Sequence, residues 1–189
     1  MALDTTVEFL GVNDCKVYKI TADTSTTYTV EEGVDIPIKS VSYTPEIESK
    51  SLYQDEKTYD RHSSNDEMTI QLTSGSLSQE ALKVLMGGTV SPSGSTPNQV
   101  STYGYNGGVL DNYVQIAFQI KYVSGAGDMH FKFMKAKVEN IDVQGNAKEY
   151  GEVSITLKGI PTTYEFTSGQ MMQIVINETA TALAATVSE

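Results

Sequence analysis

The chain has 189 residues and carries 24 acidic against 13 basic side chains, which gives a net charge of −11. With 39% hydrophobic and 20% charged residues, its composition is that of a globular protein and excludes a disordered chain. No basic run exists, so tight nucleic-acid binding through phosphate neutralisation is not expected. Two interpretations of the acidity stay open: it aids solubility, or it lets DNA pass without sticking.

The single cysteine and the chain ends narrow the class of protein further. Cys15 excludes an intramolecular disulfide and a cysteine-rich metal site, and its place in a short early strand indicates a structural thiol. The first residues lack the features of a signal peptide, and no apolar run reaches membrane-spanning length. We therefore expect a protein that acts in a cytoplasm or in something assembled there. One domain is predicted over residues 1–189, with weakly patterned arms at 1–12 and 178–189.

The first half of the chain contains a long polar insertion between two predicted strands. The strand Val34–Thr44 enters it, with a change of apolar parity near Ser40 that indicates a bulge. The strand Glu67–Leu72 leaves it. The stretch between them is rich in charge and has no apolar face of its own. We predict a hairpin-like insertion over residues 45–66 that a neighbouring subunit completes.

One helix is predicted directly after this insertion, over Leu77–Gly87. Its apolar residues recur at helical spacing, Ser78 is a candidate N-cap, and two glycines end the pattern. The following stretch, up to Asn112, is rich in Gly, Ser, Pro and Asn and has little periodicity. We expect a long loop there.

The second half alternates apolar and polar residues with period two, which is typical of half-buried antiparallel strands. Strands are predicted over Tyr113–Val123, Asp128–Gln144, Gly151–Lys158 and Met172–Ile176. In the longest of them the apolar parity changes near Met134 and Asn140, so bulges are expected at both. The sequence thus predicts a mainly β fold, an antiparallel β-sandwich or barrel with one short α-helix.

No constellation of residues indicates catalysis or a bound cofactor. His62 and His130 have no Cys or His at metal-ligand spacing, and the carboxylates of the polar insertion lack the spacing of a calcium loop. No serine occurs in a nucleophile-elbow pattern, and the glycine-rich segments lack the lysine of a P-loop. We expect no enzyme, no metal and no cofactor.

The order of these segments resembles the major tail proteins of long-tailed bacteriophages, whose subunits form the hollow tube that carries DNA. The resemblance covers roughly Gly11–Gly88. Its most telling pieces are Leu52-Tyr53-Gln54-Asp55 before an acidic loop, and the helix directly after the strand Glu67–Leu72. Beyond Gly88 only the all-β pattern with terminal arms agrees.

The resemblance implies six-membered rings that stack into a tube with a continuous inner wall of strands. It implies a virion protein that is assembled in the host bacterial cytoplasm. Its implied partners are a tape measure protein and the tail terminator and distal tail proteins, and no contact with a membrane is expected. Double-stranded DNA would pass through transiently and without specificity. The insertion would contact the adjacent ring through Leu52, Tyr53, Asp55, Glu56, Lys57, Tyr59 and Arg61. Candidates for the lumen wall, which would face solvent in a free barrel, are Glu67, Thr69, Gln71, Gln115, Gln119, Glu152 and Ser154.

The main alternative is a ligand- or carbohydrate-binding β-sandwich module. Tyr103 and Tyr105, in the glycine-rich loop, would then form a stacking platform, although the absence of Trp speaks against it. A small β-rich hydrolase is a second alternative, but the sequence offers no triad for it.

Overall fold

The computed structural model describes residues 9–54, 57–122, 127–146, 149–167 and 169–184. Within these residues the chain forms a large antiparallel sheet, one short helix and a separate two-stranded sheet. The strands are β1 (Phe9–Asp23), β2 (Tyr28–Val30), β3 (Val34–Asp35), β4 (Ile38–Gln54), β5 (Lys57–Ser74), β6 (Thr89–Ser93), β7 (Val100–Gly104), β8 (Val114–Tyr122), β9 (Asp128–Asn146), β10 (Glu149–Gly159) and β11 (Met172–Asn177). The helix is α1 (Gln79–Met86), and a 3₁₀ turn covers Glu165–Thr167.

The large sheet runs in the order β2, β1, β8, β9, β10, β5, β4, with β3 added to β1 and β11 added to the first half of β9. The predicted mainly β, antiparallel fold with one short helix is confirmed. Over the described residues the sheet stays open and does not close into a barrel. Residues 9–12, predicted as part of the N-terminal arm, belong to β1 and lie beside β8. No helix in the described part of the chain is long and apolar enough to cross a membrane.

The bulges lie where the apolar parity predicted them. In β9 the register shifts once beside Met134, against β8, and once beside Asn140, against β10. In β4 it shifts between Ile38 and Ser40. An extra residue at each point keeps the apolar side chains on the buried face, because without it the following residues would turn to solvent.

The main core lies on one face of the sheet and includes the buried face of α1. Three apolar residues of the helix are buried: Ala81, Val84 and Leu85. The helix begins and ends as predicted, since the Ser78 hydroxyl accepts from the Ala81 amide at 3.1 Å and Gly87, with φ of 81°, ends it. On the sheet, the rings of Phe118 and Phe131 stack with their centroids 4.9 Å apart.

Part of the stretch predicted as a long loop is a hairpin, formed by β6 and β7. It is tied to the helix region by polar contacts: the Gln79 amide group donates to the Ser101 carbonyl at 3.1 Å, and the Tyr103 hydroxyl donates to the Gly87 carbonyl at 2.8 Å. Most of its side chains are exposed. The sequence pattern did not predict this hairpin, because strands without a buried apolar face do not alternate apolar and polar residues.

Candidate assembly surface

Strands β9, β10, β5 and β4 form a four-stranded sheet with two chemically different faces. One face belongs to the core. The other, here termed the polar face, consists of three cross-strand rows of four residues each, and none of these twelve side chains is buried. The rows are Lys137, Lys158, Thr69 and Thr44; Asn140, Thr156, Gln71 and Ser42; and Asp142, Ser154, Thr73 and Ser40.

The polar face consists mainly of hydroxyl and amide groups. Its charged members are Lys137 and Lys158 in one outer row and Asp142 in the other, while the middle row is uncharged. Period-two alternation produces this face directly, because every residue between two core residues of a strand points the other way. Such a surface is well hydrated and offers few fixed cations to a phosphate.

Lys158 links three strands at one end of the polar face. Its ammonium group contacts the Glu46 carboxylate and lies 3.0 Å from the Thr69 hydroxyl, which donates to the same carboxylate at 2.6 Å. The bond to Glu46 raises the pKa of Lys158, and the same bond lowers the pKa of Glu46. Since Glu46 lies opposite Glu67 in the register, the lysine also offsets the repulsion of two like charges.

Both outer edges of the four-stranded sheet lack a strand partner within the described residues. β4 pairs only with β5. β9 pairs with β8 as far as Ala136, so its residues 137–146 leave one edge free. Pro45 lies inside β4 and has no N–H, which a strand tolerates where that group would point away from its neighbour. Open edges pair readily with another chain.

β4 and β5 continue beyond the sheet as a long two-stranded hairpin. β5 pairs with β10 only over Met68–Ser74, whereas its pairing with β4 continues to Gln54 and Lys57. The extension measures about 30 Å at about 3.3 Å per residue. Side chains 46–50 are all exposed, and Ile47 is 66% exposed. The predicted hairpin-like insertion is therefore a hairpin, and none of its described side chains between 46 and 66 is buried.

The residues predicted to contact an adjacent ring lie on the outer part of this hairpin where the structure describes them. The backbones of five belong to its strands: Leu52, Tyr53, Lys57, Tyr59 and Arg61. The other two, Asp55 and Glu56, lie outside the described residues. Their contact with another ring stays a prediction.

Five of the seven lumen candidates lie on one face of the four-stranded sheet. Three are members of the polar face, and two lie in the next cross-strand positions at its opposite ends: Thr69, Gln71 and Ser154, then Glu67 and Glu152. Gln115 and Gln119 of β8 lie elsewhere and are only 0% and 7% exposed. This corrects the prediction that these two glutamines line an open surface. β8 is covered on both faces, which alternation alone does not reveal.

The C-terminal segment, residues 178–184, contributes to covering β8. Leu183 packs with Ala117 and Tyr18 in a small second core on the face opposite the main one. Gln115 lies on the same face of β8 and accepts a hydrogen bond from the Tyr28 hydroxyl at 3.0 Å. The described part of the predicted C-terminal arm thus lies on its own subunit.

Asp128 fixes this segment although its side chain is completely buried. Its carboxylate accepts from the Thr181 amide at 2.7 Å, from the Asn177 side chain at 2.7 Å and from Gln119. Burial by itself raises the pKa of Asp128, but the hydrogen bonds outweigh burial and hold that pKa below its ordinary value. His130 lies 3.4 Å from the same carboxylate.

The other residues considered for metal binding, nucleophilic chemistry or ligand stacking are the possible metal ligands, Cys15 and Tyr103. Within the described part of the chain no three His, Cys, Asp or Glu residues are arranged to hold a metal ion. Cys15 is 1% exposed, and burial raises the pKa of its thiol to about 12. Tyr103 is half-buried and bonded through its hydroxyl, so it anchors a hairpin rather than offering a free ring beside the exposed Tyr105.

No family model and no curated protein matches this chain. Among solved structures it is similar to the baseplate of the anti-feeding prophage, a six-fold symmetrised cryo-EM structure, with 10% identity and a TM-score of 0.41 over 93% of this chain and 97% of that one. It is also similar to the crystal structure of an Hcp protein, with 10% identity and a TM-score of 0.36 over 86% of this chain and 98% of that one. Both TM-scores lie below 0.5, so neither alignment assigns a function or an assembly.

Proposed function

We propose that this protein is the structural subunit of a phage tail tube, which forms rings of six copies that stack into a hollow conduit for DNA. The observation that carries the proposal is the four-stranded sheet β9–β10–β5–β4, which has one exposed polar face and, within the described residues, no strand partner on either outer edge. The subunit contributes surfaces and no catalysis.

The two unpaired edges suit each other as partners between copies. β4 of one subunit would pair with the free edge of β9, residues 137–146, of the next. Because two different edges meet, the contact is heterologous and repeats around a closed ring. Each copy would thereby lose two exposed edges and add four strands to a continuous wall.

The polar face is the face that remains for the channel in such a ring. The opposite face of the same strands is committed to the core and the helix. The hydroxyl and amide groups of the polar face would keep the wall hydrated. Asp142 and Glu46 match its two lysines in number, Glu67 adds a negative charge at one end, and Glu152 at the other end is paired with Lys39 at 3.6 Å. A wall of this kind offers DNA phosphates few free cations to bind.

The long hairpin supplies a contact along the tube axis. It leaves one end of the four-stranded sheet, whereas β10 extends past the other end, because Glu149–Glu152 lies beyond the last pair of β10 with β5. A stacked ring would therefore receive the β4–β5 hairpin of its neighbour. The end rings would meet the tape measure, terminator and distal tail proteins that the resemblance implies.

Removal of one edge amide tests the proposal at the ring contact. Tyr43 lies two residues before Pro45 on β4 in a stretch of regular register, so its N–H points the same way, towards the free edge. Tyr43→Pro is expected to keep the subunit folded but to abolish rings in electron micrographs. Tyr43→Val is the matched control, because it removes the same ring but keeps the amide. Equal ring yields from the two variants would contradict pairing through β4.

A further inference from the structure

Two lysines stand side by side at one end of the polar face. Lys158 of β10 is the direct cross-strand partner of Lys137 of β9. The ammonium group of each lysine has a favourable contact within the protein. Lys158 forms an ion pair with Glu46, and the Lys137 ammonium lies 5.2 Å from the centre of the Tyr113 ring in a cation–π contact. Opposed like charges are unfavourable unless other groups neutralise them.

We propose that Lys158 and Lys137 form a latent binding site for a DNA phosphate, and that Glu46 holds the site closed. This inference deepens the proposed function and takes the identity of the ligand from it. The Glu46 carboxylate sits on Lys158 as a phosphate oxygen would, and it accepts from the Thr69 hydroxyl as well. A free lysine pair at this position would retard DNA at every subunit of a channel.

Glu46 competes well with a passing phosphate because it belongs to the same chain. The contact joins solvent-accessible groups, with the side chain of Lys158 29% exposed and that of Glu46 42% exposed. An exposed ion pair is weak, but an intramolecular partner acts at a high effective concentration that a phosphate in transit does not reach. Glu67 and Glu139 also favour the charged lysine, but neither has a direct bond to it among the described contacts.

The chain offers a matched pair of substitutions for the test. Glu46→Gln removes the charge, and its amide oxygen still accepts from Thr69. Glu48→Gln makes the same change of net charge two residues along the same hairpin face, at a residue outside the Lys158 cluster. The amide signals of Thr69 and Lys158 are followed by NMR in the separate subunit, while inorganic pyrophosphate or a 20-base-pair DNA duplex is added at low salt.

The proposal predicts saturable shifts with both anions in Glu46→Gln and none in the parent protein or in Glu48→Gln. For the duplex, a fourfold rise in salt should lower the affinity about 3.5-fold if one lysine is engaged and about 12-fold if two are. Adding Lys158→Gln to Glu46→Gln should remove the response.

Three results would overturn the inference. The first is an equal response of Glu46→Gln and Glu48→Gln. The second is a response that survives the loss of Lys158. The third is a site that takes pyrophosphate but not the duplex, which rejects DNA as its ligand. Because the experiment uses the separate subunit, its failure is distinguishable from a failure to form rings.

Discussion

Two carboxylates with buried side chains, those of Asp23 and Asp128, hold segments of this protein that have little regular secondary structure. Asp23 accepts from the backbone amides of Thr163 and Tyr164 at 2.9 Å and 3.1 Å, and Lys135 lies 2.6 Å from it. Asp128 holds the C-terminal segment in the same way. A buried carboxylate is costly unless such donors surround it, so each of these side chains specifies one position for its segment.

Asp128→Asn is expected to lower the free energy of unfolding by about 2–3 kcal/mol at pH 7, because donors around the carboxylate lose an acceptor. That corresponds to roughly 5–10 °C in melting temperature for a chain of this size. The native pKa of Asp128 is depressed, so its contribution is present above the unfolded pKa of about 4 and is lost as pH falls below it.

The measurement is thermal unfolding of both proteins between pH 7 and pH 3. The melting temperatures of the parent and Asp128→Asn should converge below about pH 4. Asp142→Asn is the control, since Asp142 is exposed and should change stability by less than about 0.5 kcal/mol. A gap between parent and Asp128→Asn that does not narrow with acid would contradict the assigned contribution.

Cys15 is expected to be inert in the folded protein. With its pKa raised to about 12 by burial, almost no thiolate exists at pH 8, and the sulfur is 1% exposed. Iodoacetamide should therefore leave the native mass unchanged for hours and label the chain at once in about 6 M guanidinium chloride, which unfolds the protein. Labelling of the native protein at the rate of a free thiol would show that Cys15 is accessible.

At the scale of elements, the long hairpin contributes no residue to the main core beyond the Pro45–Met68 pair, as far as its side chains are described. Beyond Met68, β4 and β5 pair with each other and, within the described residues, with no third strand. An isolated two-stranded hairpin is marginal in water, so a contact with another chain is the natural source of its stability.

Replacement of Lys50–Asp60 by Gly-Ser is expected to leave the subunit folded and able to form rings, but unable to stack them. The physical reason is that the strand residues removed, 50–54 and 57–60, lie beyond the last pair of β5 with β10. Circular dichroism reports the fold, and micrographs report rings and tubes.

The control for that deletion is a similar shortening elsewhere on the surface. Replacement of Gly94–Gln99, at the tip of the β6–β7 hairpin, by Asn-Gly should leave tubes unchanged. Tubes of normal length from the first variant would refute the stacking assignment. Loss of the folded signal would instead place the hairpin in the folding core.

Elements were predictable from the sequence where an apolar pattern and a buried face coincide. The parity changes near Met134 and Asn140 located two bulges, and Ser78 located the start of the helix. The β6–β7 hairpin was missed because its side chains are mostly polar and exposed. Alternation also shows which residues share a face but not what covers it, so Gln115 and Gln119 were expected at an open surface.

The polar cluster of Lys158, Glu46 and Thr69 was not predictable because its members are far apart in sequence. They come from three strands, and only the register of β10 with β5 and of β5 with β4 brings them together. Asp128 was missed for the same reason, since two of its donors come from the C-terminal part of the chain.

At the scale of the whole molecule, every charge on the channel face of one subunit would be repeated six times around a ring. Glu67→Lys would change a ring of six by about twelve charges, and repetition along stacked rings would create a track that binds phosphates in a salt-dependent way. We expect this variant to assemble normally and to deliver DNA poorly, as measured by counting tubes in micrographs and infectivity separately.

Glu32→Lys is the control for that variant, because Glu32 is exposed in the segment between β2 and β3 and lies outside the polar face. It should assemble and infect as the parent does. Normal infectivity of Glu67→Lys particles would mean that this side chain does not face the DNA or that its charge does not matter.

The most direct test of the central claim is a cryo-EM reconstruction of the assembled protein. The account predicts stacked six-membered rings around a channel whose wall bears Gln71 and Ser154, with β4 of each subunit paired to β9 of the next and the β4–β5 hairpin crossing to the adjacent ring. A dispersed monomer at high concentration, or a ring whose polar face points outward, would contradict it.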